Sequence, residues 1–392
     1  MKDSLYLAWR YLVYHRIKTA ILITSITLIV FLPVGLRVLV SQSADQLTTR
    51  AQATPLIVGA KGSPLELVLN SLYFESDVPA LMKYSEVARI DMTRLAQAIP
   101  LYVRFRARGH PIVGTTIDYF EFRGLEVVRG TNLTMLGDCV LGARVAEALG
   151  VEPGGAVISS PESVFDIAGV YPIKMRVAGI LGFSDSPDDH AVFVDIKTAW
   201  IIEGAGHGHQ DLSRSEAVGS VLSRDSATIV ANAAVVQYNE ITPDNIDSFH
   251  FHGDLGDNNL TAIIAVPSDQ RSEALLRGRY ESADDMSQVV PPVTVMDELL
   301  DTILTVQSYV IVAVVVVGLS TLATATLVFI LSLKLRQREI QTMIRIGGSR
   351  ASIGWIVVSE IVVVLSTSVV LALGLTFITS RFGSAAIRAL IL

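Results

Sequence analysis

Four of the seven histidines fall into two His-x-His pairs, His207 with His209 and His250 with His252. Four imidazoles brought together could hold zinc, copper or a haem iron. The stretch 204–220, GAGHGHQDLSRSEAVGS, is polar and glycine-rich and reads as a loop. Neither pair has a rigid strand or an i,i+4 helical spacing behind it, so the expectation is solvated loop histidines and no metal. Glu360 stands alone in the apolar run 353–378. A carboxyl at that depth is expensive unless it faces protein or water. It reads as a structural anchor or as a coupling group, and a proton relay would need a second membrane acid that the sequence lacks. Cys139 is the sole cysteine, so no intrachain disulfide forms. It sits beside Asp138 but belongs to no catalytic pair or metal cluster, and reads as structural.

Other chemistry is missing by pattern. There is no GxxxxGK[ST] phosphate loop, no HExxH and no GxSxG elbow. The chain is therefore expected not to hydrolyse ATP and not to be an enzyme. Residues 43–305 hold 19 Lys or Arg against 35 Asp or Glu, which leaves no footprint for nucleic acid.

The elements that must position these residues begin with the membrane. Hydrophobic residues make up 51% of the chain and charged residues only 18%, and mean hydropathy is +0.48. The excess gathers in three runs, predicting transmembrane helices over 19–40, 304–333 and 353–378, each long enough for a hydrocarbon layer of ~30 Å. The first run outlasts the apolar part of a signal peptide and follows an amphipathic stretch, so it reads as a retained helix. Residues 1–18 carry Lys2, Arg10, Arg16 and Lys18 against Asp3, and the connector 334–352 carries Lys334, Arg336, Arg338, Arg345 and Arg350 against Glu339. Both read as cytoplasmic by the positive-inside rule, with 41–303 outside. The tail 379–392 would then end outside or at the interface.

The outer segment shows short apolar runs parted by turn signals. LYVRFRARGHPIVGTTIDYFEF (101–122) reads as a hairpin. CVLGARVAEALGVEPGGAVIS (139–159) reads as a strand, a helix ending near Gly150, a turn and a strand. MRVAGIL (175–181), HAVFVDI (190–196) and TAIIAVP (261–267) are further strands, and 268–280 is a helix capped by Ser268. The whole is an α-helical transmembrane protein with a large extracytoplasmic α+β domain of two lobes, one over about 100–200 and one from the flanking segments. In the connector, Leu335, Ile340, Met343, Ile344 and Ile346 alternate with charges as in a short amphipathic helix, ended by Gly347-Gly348. Such a helix could dock on a soluble motor or meet anionic lipid.

The chain resembles the FtsX-like, macrolide-exporter-type ABC permease family. The opening YLAWRYLVYHRIKTAILITSITLIVFLPVG resembles its amphipathic helix and first membrane helix. LIVGAKGSPLELVLNSLYF (56–74) resembles a lipoprotein- or haem-exporter-like branch, and LGARVAEALGVEPGGAV (141–157) its outer core domain. REIQTMIRIGGSRASIGWIVVSEIVVVL (338–365) resembles its connector and third helix, the most specific match. Family members usually have four membrane helices; here 14 residues follow Ile378, too few for another crossing.

The resemblance implies a mechanotransmission-type permease that pairs as a homodimer, or with a related permease, on cytoplasmic ABC ATPase subunits. ATP and Mg would be bound by that partner, with no cofactor in this chain. A periplasmic adaptor protein and membrane lipids are further implied partners. Coupling falls on Arg338, Glu339, Ile340, Met343, Arg345, Gly347 and Gly348, Glu360 matches the family's acid early in the third helix, and Trp9, Arg10 and Arg16 lie on the N-terminal helix along the inner face. The implied place is the bacterial inner membrane, with export or extraction of an apolar or lipid-linked cargo. Signalling to an envelope hydrolase, a membrane-tethered enzyme and a sensor stay as alternatives.

Overall fold

Apolar runs without charge form helices wherever backbone polar groups must be satisfied locally. The computed structural model describes residues 2–160, 172–209, 221–224, 229–231, 238–282, 284–335, 337–345, 347 and 349–391. It divides into two units, Met1–Thr49 with Asp297–Leu392, and Arg50–Met296. The chain opens with α1 (Lys2–Tyr14) and α2 (Arg16–Gln52). Pro33 lies inside α2, a position that membrane helices tolerate. At 1.5 Å per residue α2 is about 55 Å long, well beyond the hydrocarbon thickness. It therefore overruns the span expected from hydropathy.

The outer unit continues with β1 (Leu56–Ala60), α3 (Pro64–Tyr73), β2 (Met82–Lys83) and α4 (Ser85–Thr93). The Ser63 hydroxyl accepts from the Glu66 N–H and Pro64 opens α3, a capped start with proline where its missing N–H costs nothing. The hairpin β3 (Ala96–Ala107) and β4 (His110–Thr115) turns at Arg108 and Gly109. Next come α5 (Ile117–Arg123), β5 (Val127–Gly130), β6 (Asp138–Leu141), α6 (Ala143–Leu149) and β7 (Ala156–Ile158). α6 ends at Gly150, as its sequence predicts. β8 (Lys174–Leu181), β9 (Val192–Asp195) and α7 (Ile196–Glu203) follow, then β10 (Gly206–Gly208), β11 (Val221–Arg224), β12 (Ile229–Ala231), β13 (Phe249–Phe251) and β14 (Asn259–Leu260). β15 (Ala262–Pro267), α8 (Gln270–Arg279) and β16 (Ser287–Val290) complete the unit. The cap of α8 is Asp269 and not Ser268: its carboxylate accepts from the Ser272 N–H at 2.7 Å, while the Ser268 hydroxyl meets that of Ser272.

The main sheet runs β16-β1-β15-β3-β4-β9-β6-β8-β5, with β7 on β8. The long strand β3 joins two halves. Its residues Ala96–Leu101 pair with β15, and Tyr102–Ala107 pair with β4. The two lobes read from sequence thus share a strand and one hydrophobic core, which includes Val58, Ile90, Tyr102, Leu141, Val194 and Trp200. The chain enters and leaves this sheet at one edge. β1, three residues after α2, is hydrogen-bonded antiparallel to β16, which ends one residue before the next long helix; Ile57 faces Val290 and Ala60 faces Ser287.

The last helices are α9 (Pro292–Leu335), α10 (Gln337–Arg345) and α11 (Arg350–Ile391). Among the described residues three helices are long and apolar enough to cross a membrane, Arg16–Gln52, Pro292–Leu335 and Ile353–Arg381. α11 carries on helically through the residues expected to form a tail. Within the helical unit α1 packs along α11. Leu12, Leu22 and Val364 form a small core there. The Thr27 hydroxyl donates to the Ser368 carbonyl and the Ser368 hydroxyl to the Ile23 carbonyl, both at 3.3 Å. Ile29 lies so near Gly318 that an added Cβ would meet its Cγ2 at 2.9 Å, the close approach that small residues allow between membrane helices.

Candidate transmission site

Helix α10 links the two later membrane helices through its own short length. Ile340 and Ile344 lie four apart and share a face. Arg338 and Arg345 lie seven apart on the opposite face and are exposed. Glu339 and Met343 are on the helix backbone, but their side chains lie outside the described residues, as does Gly348 altogether. The helix stops because Gly347 takes φ +98°, a left-handed turn that side chains rarely adopt. Glu360 is buried on α11 at 4% exposure. Trp9 is 56% exposed on α1, and Arg10 and Arg16 are exposed too. Helix α1, which carries Trp9 and Arg10, packs along α11, which carries Glu360.

A second constellation escaped the sequence reading. The last turn of α2, from Arg50, belongs to the outer unit. There Arg50 grips Asp188 with two hydrogen bonds, Nη1 to Oδ2 at 2.7 Å and Nη2 to Oδ1 at 2.9 Å. Nη2 also donates to the Tyr119 hydroxyl at 2.9 Å, which in turn donates to Asp188 Oδ1 at 2.7 Å. Arg50, Asp188 and Tyr119 are all buried, and the guanidinium lies over the Phe74 ring at 5.6 Å. Burial alone would raise the Asp188 carboxyl; Arg50 and the Tyr119 hydroxyl outweigh it and hold the group below the ordinary carboxylate range. Gly142 makes room for this turn, since a Cβ there would overlap the Asp188 carbonyl oxygen. The sequence carried one hint: Arg50 is the only charge between Asp45 and Lys61.

Asp138 and Cys139 have structural duties. Asp138 Oδ1 accepts from Arg176 Nε at 2.9 Å, and Oδ2 from the Thr134 hydroxyl and the Met135 N–H. Burial first, and the Asp138 charge second, push the Cys139 thiol up to about 12, so it stays protonated.

One histidine of each pair lies on a strand, His207 on β10 and His250 on β13, and His209 and His252 follow directly after the strand ends. β10 pairs antiparallel with β13, with His207 directly opposite His250. Period-2 alternation puts His207 and His209 on one face and His250 and His252 on the same face. The other face stacks Phe251 over Gly206 and Phe249 over Gly208, and Phe251 meets Trp200 at 6.1 Å between ring centres. One ligand atom each from His207, His209 and His250 lies within 4.8 Å of the others. The His252 ring is 5.0 Å from those of His207 and His250. Burial, then the neighbouring rings of His250, His252 and His209, lower His207 from its ordinary range. Residues 210–220 of the expected loop lie outside the described residues. The alternations GHGH and FHFH were the missed signal.

The profile described as MacB-like periplasmic core domain matches residues 19–235, more than half of the 392 residues. The chain belongs to this family. As a MacB-like protein it is a membrane-anchored ABC-permease-type chain with a large mixed α+β periplasmic core domain. The family's general role couples membrane helices to that domain, and it supplies non-catalytic components of transporters that work with ABC partner subunits. Among solved structures, the periplasmic region of MacB from Actinobacillus actinomycetemcomitans is similar at 11% identity, over 64% of this chain and 97% of its own, with a TM-score of 0.36. The extracellular domain of the noncanonic ABC-type transporter YknZ from Gram-positive bacteria is similar at 13% identity, over 60% and 98%, with a TM-score of 0.33. No curated protein sequence matches.

Proposed function

We propose that this MacB-like protein is the permease subunit of an ABC-type complex of a bacterial inner membrane, coupling ATP hydrolysis by a cytoplasmic partner to movement of its outer domain. The ATP and Mg belong to the partner. Residues 334–352 face the cytoplasm and receive the motor's movement, and the N-terminus lies on the same side. Two copies, or one copy and a related permease, form the working unit, with a periplasmic adaptor as a further partner. The cargo is apolar or lipid-linked, and it is exported or extracted from the membrane.

The observation that carries this reading is α10, a nine-residue helix between two membrane helices, with arginines on one face, isoleucines on the other and a left-handed glycine after it. A short amphipathic helix of this kind offers an apolar ridge to a groove and charges to its rim. Helices α9 and α11, rigid over tens of ångströms, carry displacement away from it. Two states with different contacts are needed, and ATP in the partner selects between them.

The test is affinity purification from native membranes followed by mass spectrometry. The wild-type chain is expected to bring down a subunit carrying a phosphate loop. Arg345→Glu should lower its recovery at least fivefold while membrane insertion is unchanged. Equal recovery from both proteins would sink the proposal.

A further inference from the structure

The outer domain holds a group of imidazoles that transmission does not use. His207 and His250 are opposite each other across β10 and β13. His209 and His252 sit diagonally to either side, with ring centres 5.2 Å from His209 to His250 and 5.0 Å from His252 to His207. Glycine and phenylalanine take the inward face, so the ribbon's packing sends all four histidines to the other side. No carboxylate belongs to the group among the described residues.

We propose that His207, His209 and His250 form a binding site for a Zn2+ ion, with His252 beside them as a fourth ligand. Imidazole nitrogen is a preferred donor for zinc, and three such ligands leave one tetrahedral position open. Zinc–nitrogen bonds of ~2.0–2.1 Å put ligand atoms roughly 3.3 Å apart. The three ligand atoms lie within 4.8 Å, so small side-chain rotations close the site without moving the strands. The His250 Nδ1 is 3.0 Å from the Ser248 carbonyl oxygen. Donation there fixes the tautomer and presents Nε2 to the ion, the usual outer support of a metal-bound histidine. The ion would fasten β10 to β13, two short strands far apart in sequence. This inference is independent of the ATPase partnership.

The test uses the full-length protein in detergent, freed of any affinity tag. Competition with a chromophoric zinc chelator should show one equivalent of Zn2+ per chain. The double variant H207A/H250A should bind at least tenfold more weakly, and H110A should match wild type. Circular dichroism of the metal-free proteins keeps a folding defect apart from a lost ligand. Zinc-edge X-ray absorption on the wild type needs no variant and should show imidazole scattering from three or four nitrogens. Absence of stoichiometric zinc in the wild type, equal binding by a folded H207A/H250A, or an absorption spectrum without imidazole would each overturn the proposal.

Discussion

Arg50 and Asp188 form a buried ion pair in which each lone charge would be costly without the other. Removing one partner leaves the other stranded, and such changes cost about 3–5 kcal/mol. Asp188→Asn is therefore expected to destabilise the outer domain by that amount, read by denaturant unfolding. R50M/D188L, which removes both charges, should lose less. If the single variant proves the milder one, the pair contributes little. The pair also predicts an acid limb. Asp188 titrates below its unfolded value, ~3.9. Its contribution is therefore present above that pH and is lost as pH falls through the lower, folded value. As pH falls below about 4 the wild type should lose stability faster than Asp188→Asn, and parallel curves would contradict this assignment.

At the scale of elements, the joint after α10 rests on one backbone angle. Gly347 at φ +98° lies where a β-branched residue is strained. Gly347→Val should cost about 1–3 kcal/mol locally. It is expected to loosen the α10–α11 turn and expose residues 337–350 to protease in inverted membrane vesicles. Gly354→Ala is the control, because Gly354 lies in helix α11 with open space around it. Equal cleavage in both variants would show that the turn does not depend on glycine.

For the whole molecule, the outer unit begins and ends on neighbouring strands. β1 and β16 share a ladder from Ile57–Val290 to Ala60–Ser287. A pull on either connection therefore loads the same sheet edge, and β3 passes it to both halves of the sheet. Because the described residues of the main sheet and its core all come from this unit, residues 50–296 should fold without the membrane helices. Expressed alone they are expected to be soluble and to melt in one cooperative transition by circular dichroism. Aggregation, or a melt without a transition, would show that the helices complete the core.

Much of this was legible in one dimension. Runs such as Val310–Leu333 and 353–378 announce membrane helices because lipid tolerates little else. Gly150 marks its helix end, and the short apolar run MRVAGIL marks the strand at 175–181, because those preferences act over a few residues. Even the shortness of α10 follows from its isoleucines and the glycine behind them. The tertiary structure alone decided which distant residues meet. Arg50 finds Asp188 across 138 positions, and His207 finds His250 through strand pairing. Strand register and the burial of charge depend on the whole fold, and no local pattern encodes either one.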